Sequence, residues 1–350
     1  MPTTALETDV RREKSLQRWV KRIFWIFVAL LIVAAAIGAI YEAVAEHRDR
    51  QRFAQVGRSV SLGAFSLNIN CTGSGKRTVI LESGLGIPAV GWQLVQPRIA
   101  QFARVCSYDR AGYGWSDPGP FPRTSREIAL ELHALLQKDR IAPPYILVGH
   151  SFGGFTVRLF NQLYPAEVSG AVLVDSSHED QVQSMGPEMR EAIAKDLRQL
   201  RRMQSVMGFL IDFGIARSFA RMNRDASPLP ADLQDEMTYL QLSRKYTDAI
   251  VSEESSFEES AAEVRGSPGF GDKPLIVLTA GAPLADPGVS QQETDSFFAV
   301  WVGELQPRLA RLSTRGRQIV LLNSHHLIPF EQPQAIVDAV QDVIGQAKVR

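Results

Sequence analysis

Ser151 is the residue with the most specific chemical context in the chain. It lies in the segment Gly149-His150-Ser151-Phe152-Gly153, between an apolar run and an amphipathic stretch. A strand that ends in Gly-x-Ser-x-Gly and leads into a helix makes a tight turn that raises the serine hydroxyl above the sheet. The N-terminus of that helix favours the negative charge of an oxyanion. The sequence therefore predicts a serine nucleophile for acyl transfer.

A serine hydroxyl needs a general base, because it is a poor nucleophile at its ordinary pKa. The chain has six histidines, and only His325 and His326 follow the last predicted strand. Ser151 is expected at the same edge of the sheet, where the carboxyl ends of parallel strands meet. We therefore expect one of these two histidines to be the base.

The elements around Ser151 alternate between strand and helix patterns. Short apolar runs predict strands at residues 59–62, 65–70, 78–82, 104–108, 145–148, 170–174, 273–279 and 318–322. Helical periodicity lies between them, for example at residues 125–138. This alternation predicts an α/β fold with a mostly parallel, eight-stranded sheet and helices on both faces.

One long segment interrupts the alternation. Residues 179–271 show helical spacing and no strand pattern, so we expect a helical cap over the carboxyl edge of the sheet. The cap divides the catalytic core into a first part, residues 58–178, and a second part, residues 272–350.

The N-terminal region predicts a membrane anchor. Residues 23–41 contain no charged side chain, and a helix of this length crosses a hydrocarbon core of ~30 Å. Six basic residues in 11–22, against three in 41–52, favour a cytoplasmic tail at residues 1–22. Residues 42–57 would then be a linker to an extracytoplasmic catalytic domain.

A cleavable signal peptide is the alternative. Ala43-Val44-Ala45 has the small-x-small pattern of a cleavage site, but the apolar run is longer than most signal peptides contain. We therefore favour an uncleaved single-pass anchor.

Composition argues against two classes of partner. The 38 basic and 38 acidic residues balance, so no nucleic-acid-binding surface is indicated. No cysteine and histidine cluster has zinc-site spacing, and we expect neither a metal nor an organic cofactor. The sequence does not indicate an oligomeric state.

Four segments in order resemble the α/β-hydrolase superfamily, over about residues 58–345. They are residues 83–86, 108–116, 149–154 and 326–333. The resemblance implies that His326, five residues before Glu331, is the catalytic histidine. It also implies that the backbone N–H groups of Leu85 and Phe152 form an oxyanion hole. Ser83 stands where the family usually has a histidine.

The resemblance leaves two places for the acid that orients the histidine. Asp175 follows one predicted strand directly, whereas Asp286 lies farther into the loop after the next strand. We favour Asp175, because a strand end is a rigid support.

Cys71 and Cys106 are the two cysteines of the chain. In the family's strand order they lie on or next to neighbouring antiparallel strands. A disulfide is therefore one alternative in an oxidising compartment. We slightly favour the other alternative, two reduced thiols in the core.

The resemblance implies a Ser-His-Asp hydrolase that cleaves a small-molecule carboxylic ester. An aminopeptidase or amidase with the same constellation is the second hypothesis, and a binding protein without turnover is the third. A serine nucleophile argues against the superfamily's epoxide hydrolases and haloalkane dehalogenases, which use aspartate.

Overall fold

The computed structural model describes residues 4–222, 229–284 and 286–347, with side chains from residue 16 onward. The first three residues of the predicted cytoplasmic tail lie outside the described residues, as do 223–228 of the predicted cap and the last three of the predicted core.

Eight strands form one sheet, as the sequence predicts. They are β1 (Arg58–Ser61), β2 (Ser66–Thr72), β3 (Thr78–Glu82), β4 (Arg104–Tyr108), β5 (Tyr145–His150), β6 (Val168–Val174), β7 (Leu275–Ala280) and β8 (Gly316–Leu321). Their order is β1-β2-β4-β3-β5-β6-β7-β8. Strand β2 runs antiparallel to both of its neighbours, β1 and β4. The other described pairs of neighbouring strands are parallel. The central strands are buried on both faces, which is why they are continuous apolar runs in the sequence.

The described residues form a series of α-helices, some of which cover the two faces of the sheet. In chain order they are α1 (Thr4–Arg52), α2 (Gln96–Ile99), α3 (Ser125–Lys138), α4 (Gly153–Leu163), α5 (Gln181–Ser184), α6 (Pro187–Asp212), α7 (Ile215–Met222), α8 (Ala231–Gln241), α9 (Arg244–Ser255), α10 (Phe257–Val264), α11 (Gln291–Val300), α12 (Gln306–Ala310), α13 (Ile328–Glu331) and α14 (Pro333–Gln346). Apolar side chains of α3, α4 and α10 pack on one face, and those of α2 and α14 pack on the other. The predicted α/β architecture is confirmed.

Helices α5 to α10 lie between β6 and β7, where the sequence shows no strand pattern. The sequence pattern also predicts one helix near residues 293–312, between the last two strands, but this helix is divided in the structure. A π-helical turn, Trp301–Leu305, separates α11 from α12. Pro307 lies in the first turn of α12, where its missing N–H is tolerated, but it cannot continue an uninterrupted α-helix.

The predicted linker at residues 42–57 is largely helical, because α1 continues to Arg52. Its polar end is held by α7, where Arg217 pairs with Glu42 at 2.8 Å and with Asp49. Among the described residues, one helical segment, Leu16–Arg52, is long and apolar enough to cross a membrane, and its most apolar window is not buried.

Cys71 and Cys106 form a disulfide, so our preference for two free thiols is wrong. The two residues are directly opposite in the β2–β4 register, with their Cα atoms 4.1 Å apart. Opposite residues on antiparallel neighbours point to the same face of the sheet. The free-thiol expectation required side chains that were far apart or on opposite faces.

Candidate active site

Ser151 lies at the sharp turn between β5 and α4. Its φ is +52°, a left-handed conformation that a side chain adopts only where the surroundings enforce it. The flanking glycines allow close approach: a Cβ at Gly153 would lie 2.6 Å from the Ser83 carbonyl oxygen, and one at Gly149 would lie 2.8 Å from that of Gly153. The backbone N–H of Ser151 donates to Val174 O at 3.0 Å. The turn thus raises the hydroxyl at the carboxyl edge of the sheet.

The structure brings the three predicted catalytic side chains together. His326 Nε2 is 2.9 Å from Ser151 Oγ, and His326 Nδ1 is 2.6 Å from Asp175 Oδ2. Both distances are those of hydrogen bonds. With Nδ1–H donating to the carboxylate, Nε2 is left to accept the serine proton.

Two further hydrogen bonds fix the carboxylate of Asp175. This residue follows β6 with a φ of +39° and is buried. Its Oδ1 accepts from the backbone N–H of Ala280 at 3.0 Å and from Trp301 Nε1 at 2.9 Å. Trp301 opens the π-helical turn, and sequence reasoning missed it. The available signal was weak: a buried tryptophan needs a partner for its N–H, but nothing in the sequence names that partner.

The alternative residues are engaged elsewhere. Asp286 is exposed, and its Oδ1 accepts from the backbone N–H of Gly288 at 2.8 Å. His325 is also exposed, with Nδ1 3.5 Å from the Glu331 carboxylate. Glu331 in turn accepts from the backbone N–H of His325 at 2.6 Å. This contact holds the loop that carries His326.

The loop after β3 passes against the serine turn. A Cβ at Gly84 would lie 3.2 Å from Ser151 Cβ and 2.8 Å from His150 Nδ1, so only glycine fits there. The next residue, Leu85, lines the same cavity as Ser151 and Phe152. The role of Leu85 and Phe152 as oxyanion donors stays a prediction.

Arg110 holds this loop through hydrogen bonds to its backbone. Its guanidinium donates to the carbonyl oxygens of Ser83 at 2.7 Å and Gly84 at 2.8 Å. It also pairs with Glu82 at 2.7 Å and Glu253 at 3.0 Å. Burial opposes the charge on Arg110, but the two carboxylates outweigh it and raise the pKa of the guanidinium. Arg110 lies within residues 108–116, one of the segments that resemble the family, but the sequence alone indicates no role for its side chain.

His150 forms a hydrogen bond with the backbone of His326, the proposed base. Its Nε2–H donates to the backbone carbonyl of His326 at 2.9 Å, and the ring is buried. Burial, together with the nearby His326, lowers the pKa of His150 to about 3. The imidazole of His150 is therefore neutral at physiological pH.

The neutral His150 predicts a pH dependence of stability. Below the ordinary pKa of 6.5 the unfolded chain takes up a proton at His150, whereas the folded chain does so only near about pH 3. The unfolded state therefore binds more protons in this window. As the pH falls, the free energy of unfolding should decrease by up to about 1.4 kcal/mol per pH unit from this group.

His150→Gln keeps an amide that can donate to the same carbonyl but does not titrate. Denaturant unfolding in detergent, measured from neutral pH to about pH 4, should give a shallower slope for this variant than for the wild type. Equal slopes would show that His150 does not carry this linkage.

A cavity of about 830 Å³ opens beside the serine. Most of its lining is apolar, and helix α6 contributes Met189, Ile193 and Leu197. Phe257 and Phe297 come from the neighbouring helices α10 and α11. A cavity of this size and character accepts a small apolar molecule with one end at Ser151.

The chain is similar to several proteins of known sequence or known structure. The chain is 27% identical over 164 residues to the uncharacterized protein YbdG of Bacillus subtilis, covering 46% of this chain and 50% of that protein. It is 24% identical over 240 residues to a 2-hydroxymuconate semialdehyde hydrolase of Pseudomonas sp., covering 67% of this chain and 84% of that enzyme. The chain spans half or less of the length of several curated relatives that it matches.

Among solved structures, an esterase from Thermogutta terrifontis is similar, with a TM-score of 0.58 at 19% identity, covering 83% of this chain and 98% of that one. This likeness shows the fold. A model of the alpha/beta hydrolase family matches residues 79–339. The chain belongs to the alpha/beta hydrolase family.

Proposed function

We propose that this protein is a serine hydrolase that cleaves carboxylic esters through an acyl-enzyme. The observation that carries the proposal is the continuous hydrogen-bonded series from Asp175 through His326 to Ser151, at the wall of an apolar cavity. This series supplies a nucleophile, a base and a group that orients the base.

The mechanism has two acyl-transfer steps. Ser151 Oγ attacks the ester carbonyl while His326 Nε2 takes its proton, and the N–H groups of Leu85 and Phe152 stabilise the oxyanion. The protonated His326 then gives its proton to the leaving alkoxide, so an alcohol departs and the acyl group stays on Ser151. Water, deprotonated by His326, then attacks the acyl carbon. The bond from that carbon to Ser151 Oγ breaks, His326 returns the proton to Ser151, and a carboxylic acid leaves.

The cavity favours an ester with an apolar acyl or alkyl group. One observation favours the aminopeptidase or amidase alternative: Glu254 and Glu258 line the cavity and offer carboxylates to an ammonium group. Burial raises the pKa of Glu254, and Asp196 and Glu253 act in the same direction. This shift weakens the negative charge that an amine substrate requires, and ester cleavage remains the better-supported function.

Membrane attachment is part of the proposal. The exposed apolar residues of α1 and the basic residues that precede them support a single-pass anchor with the catalytic domain outside the cytoplasm. The Cys71–Cys106 disulfide supports the same side, because disulfides persist in oxidising compartments.

A serine-directed fluorophosphonate tests the proposed chemistry. Intact-mass and peptide analysis should find one adduct, on Ser151, and heat-unfolded protein should not react. Matched ester and amide substrates with the same acyl group then separate the two functions, and we expect faster turnover of the ester. Absence of the adduct on folded protein would contradict the proposal, and preferential amide cleavage would favour the alternative.

A further inference from the structure

The end of α6 and the start of α7 pack against the apolar part of α1. A Cβ at Gly38 would lie 2.4 Å from the Phe213 carbonyl oxygen, and one at Gly214 would lie 2.7 Å from the ring of Tyr41. Arg221 donates to the Tyr41 hydroxyl at 2.7 Å. Gly38 lies three residues inside the uncharged segment that ends at Tyr41, about 4.5 Å along the helix axis. The connection between α6 and α7 therefore reaches the level of the proposed membrane-spanning segment.

Apolar side chains are exposed on both helices near this connection. On α6, Val206 is 48% exposed and Phe209 is 55% exposed. On α7, Phe219 is 60% exposed and Met222 is 79% exposed. We name these four residues the α6–α7 patch.

The spacing places the patch on continuous faces of the two helices. Val206 and Phe209 are three residues apart and share one face of α6, and Phe213, the residue that follows the helix, comes four residues later. The rings of Phe209 and Phe213 are 4.5 Å apart. Met222 follows Phe219 by three residues and shares its face of α7. The exposed side chains of the patch therefore lie together on one face of each helix and are not scattered over the surface.

A basic residue precedes the patch on α6. Arg202 is exposed and lies one turn before Val206 on the same face of α6. A long basic side chain beside apolar residues suits the boundary between acyl chains and headgroups.

We propose that the α6–α7 patch is a second membrane contact, in which its four side chains enter the acyl-chain region of the bilayer that α1 spans. The proposal rests on the membrane attachment proposed above and not on the hydrolytic chemistry. Lipid is the occupant because the connection between the two helices contacts α1 at Gly38 and Tyr41, within the proposed membrane-spanning segment, whose apolar side chains are also exposed. The contact also ties the cavity to the membrane, since the first half of α6 lines the cavity.

Depth-dependent fluorescence quenching tests the contact on the full chain. Single cysteines replace Phe209 or Met222 and are labelled with an environment-sensitive dye, while the native cysteines are held in their disulfide. The labelled chains are reconstituted in phosphatidylcholine vesicles containing some phosphatidylglycerol, with and without brominated acyl chains. Leu31→Cys, in the exposed part of α1, is the positive control. Phe102→Cys is the negative control. Phe102 is 37% exposed and lies beside the start of β4, at the edge of the sheet where the parallel strands begin.

We expect brominated lipid to remove about half of the emission at positions 209 and 222, as at position 31, because a membrane-facing helix sits at the acyl boundary. Position 102 should be unaffected. Quenching at positions 209 and 222 no stronger than at position 102 would overturn the proposal, and position 31 then shows whether the anchor fails as well. The dye emission could instead be insensitive to brominated lipid and decrease through self-quenching between labelled chains. This result would show that the patch contacts a second copy of the chain, and it would also overturn the proposal. Phosphonate labelling of Ser151 in the same samples is scored separately, so a failure of the proposed chemistry is distinguishable.

Discussion

Replacing Ser151 with alanine is expected to lower kcat for ester hydrolysis by at least about 10⁴-fold, because no other oxygen takes the place of the nucleophile. The loss should fall on kcat, since the cavity that binds the substrate is unchanged. Hydrolysis of a chromogenic ester by purified, reconstituted protein measures it, with circular dichroism to show that the variant is folded.

Ser177→Ala is the matched control for this result. Ser177 lines the same cavity, but only its backbone N–H bonds to the turn, donating to the Ser151 carbonyl at 3.0 Å. The control should keep most of the activity. A Ser151→Ala preparation that retains a tenth of wild-type activity, free of contaminating esterases, would refute the assignment of the nucleophile.

Replacing Asp175 with asparagine is expected to cost about 10⁴-fold in kcat, because an amide can stabilise the wrong tautomer of the base. The carboxylate accepts from His326 Nδ1 and from two fixed donors, so the variant keeps the shape but not the charge. Steady-state kinetics with the same ester measures the effect.

Asp286→Asn is the control for the acid, since Asp286 is exposed and bonds only locally in the described contacts. It should have nearly wild-type kinetics. If Asp286→Asn were inactive and Asp175→Asn active, the acid would be assigned to the wrong strand.

The sheet and the serine turn were predictable because their determinants are local. Continuous apolar runs mark doubly buried strands, and the glycines around Ser151 mark a turn that only small residues allow. The pairing of His326 with Asp175 followed from placement, since both were predicted after strands whose carboxyl ends share one edge of the sheet.

The remaining features depend on contacts between distant parts of the chain. Trp301 reaches Asp175 only because a π-helical turn precedes Pro307, and a helical pattern does not reveal such a turn. The helical continuation of α1 beyond the apolar segment is held by Arg217, more than 160 residues away. The disulfide required a register, which fixes the face of each side chain and which spacing alone does not give.

The hydrogen bonds and the ion pair of Arg110 connect the loop after β3 with the helix α9. The same guanidinium holds the carbonyls of the loop before Leu85 and the carboxylate of Glu253 on α9. Displacing α9 would leave a buried cation with one anion fewer, which is costly in a dry interior. Any ligand that favours the docked position of α9 should therefore also favour the ordered loop. By thermodynamic reciprocity, an oxyanion bound by the loop under the proposed mechanism should favour the docked position of α9. Under the proposed mechanism, substrate recognition by the cap and oxyanion stabilisation by the loop are therefore coupled through Arg110.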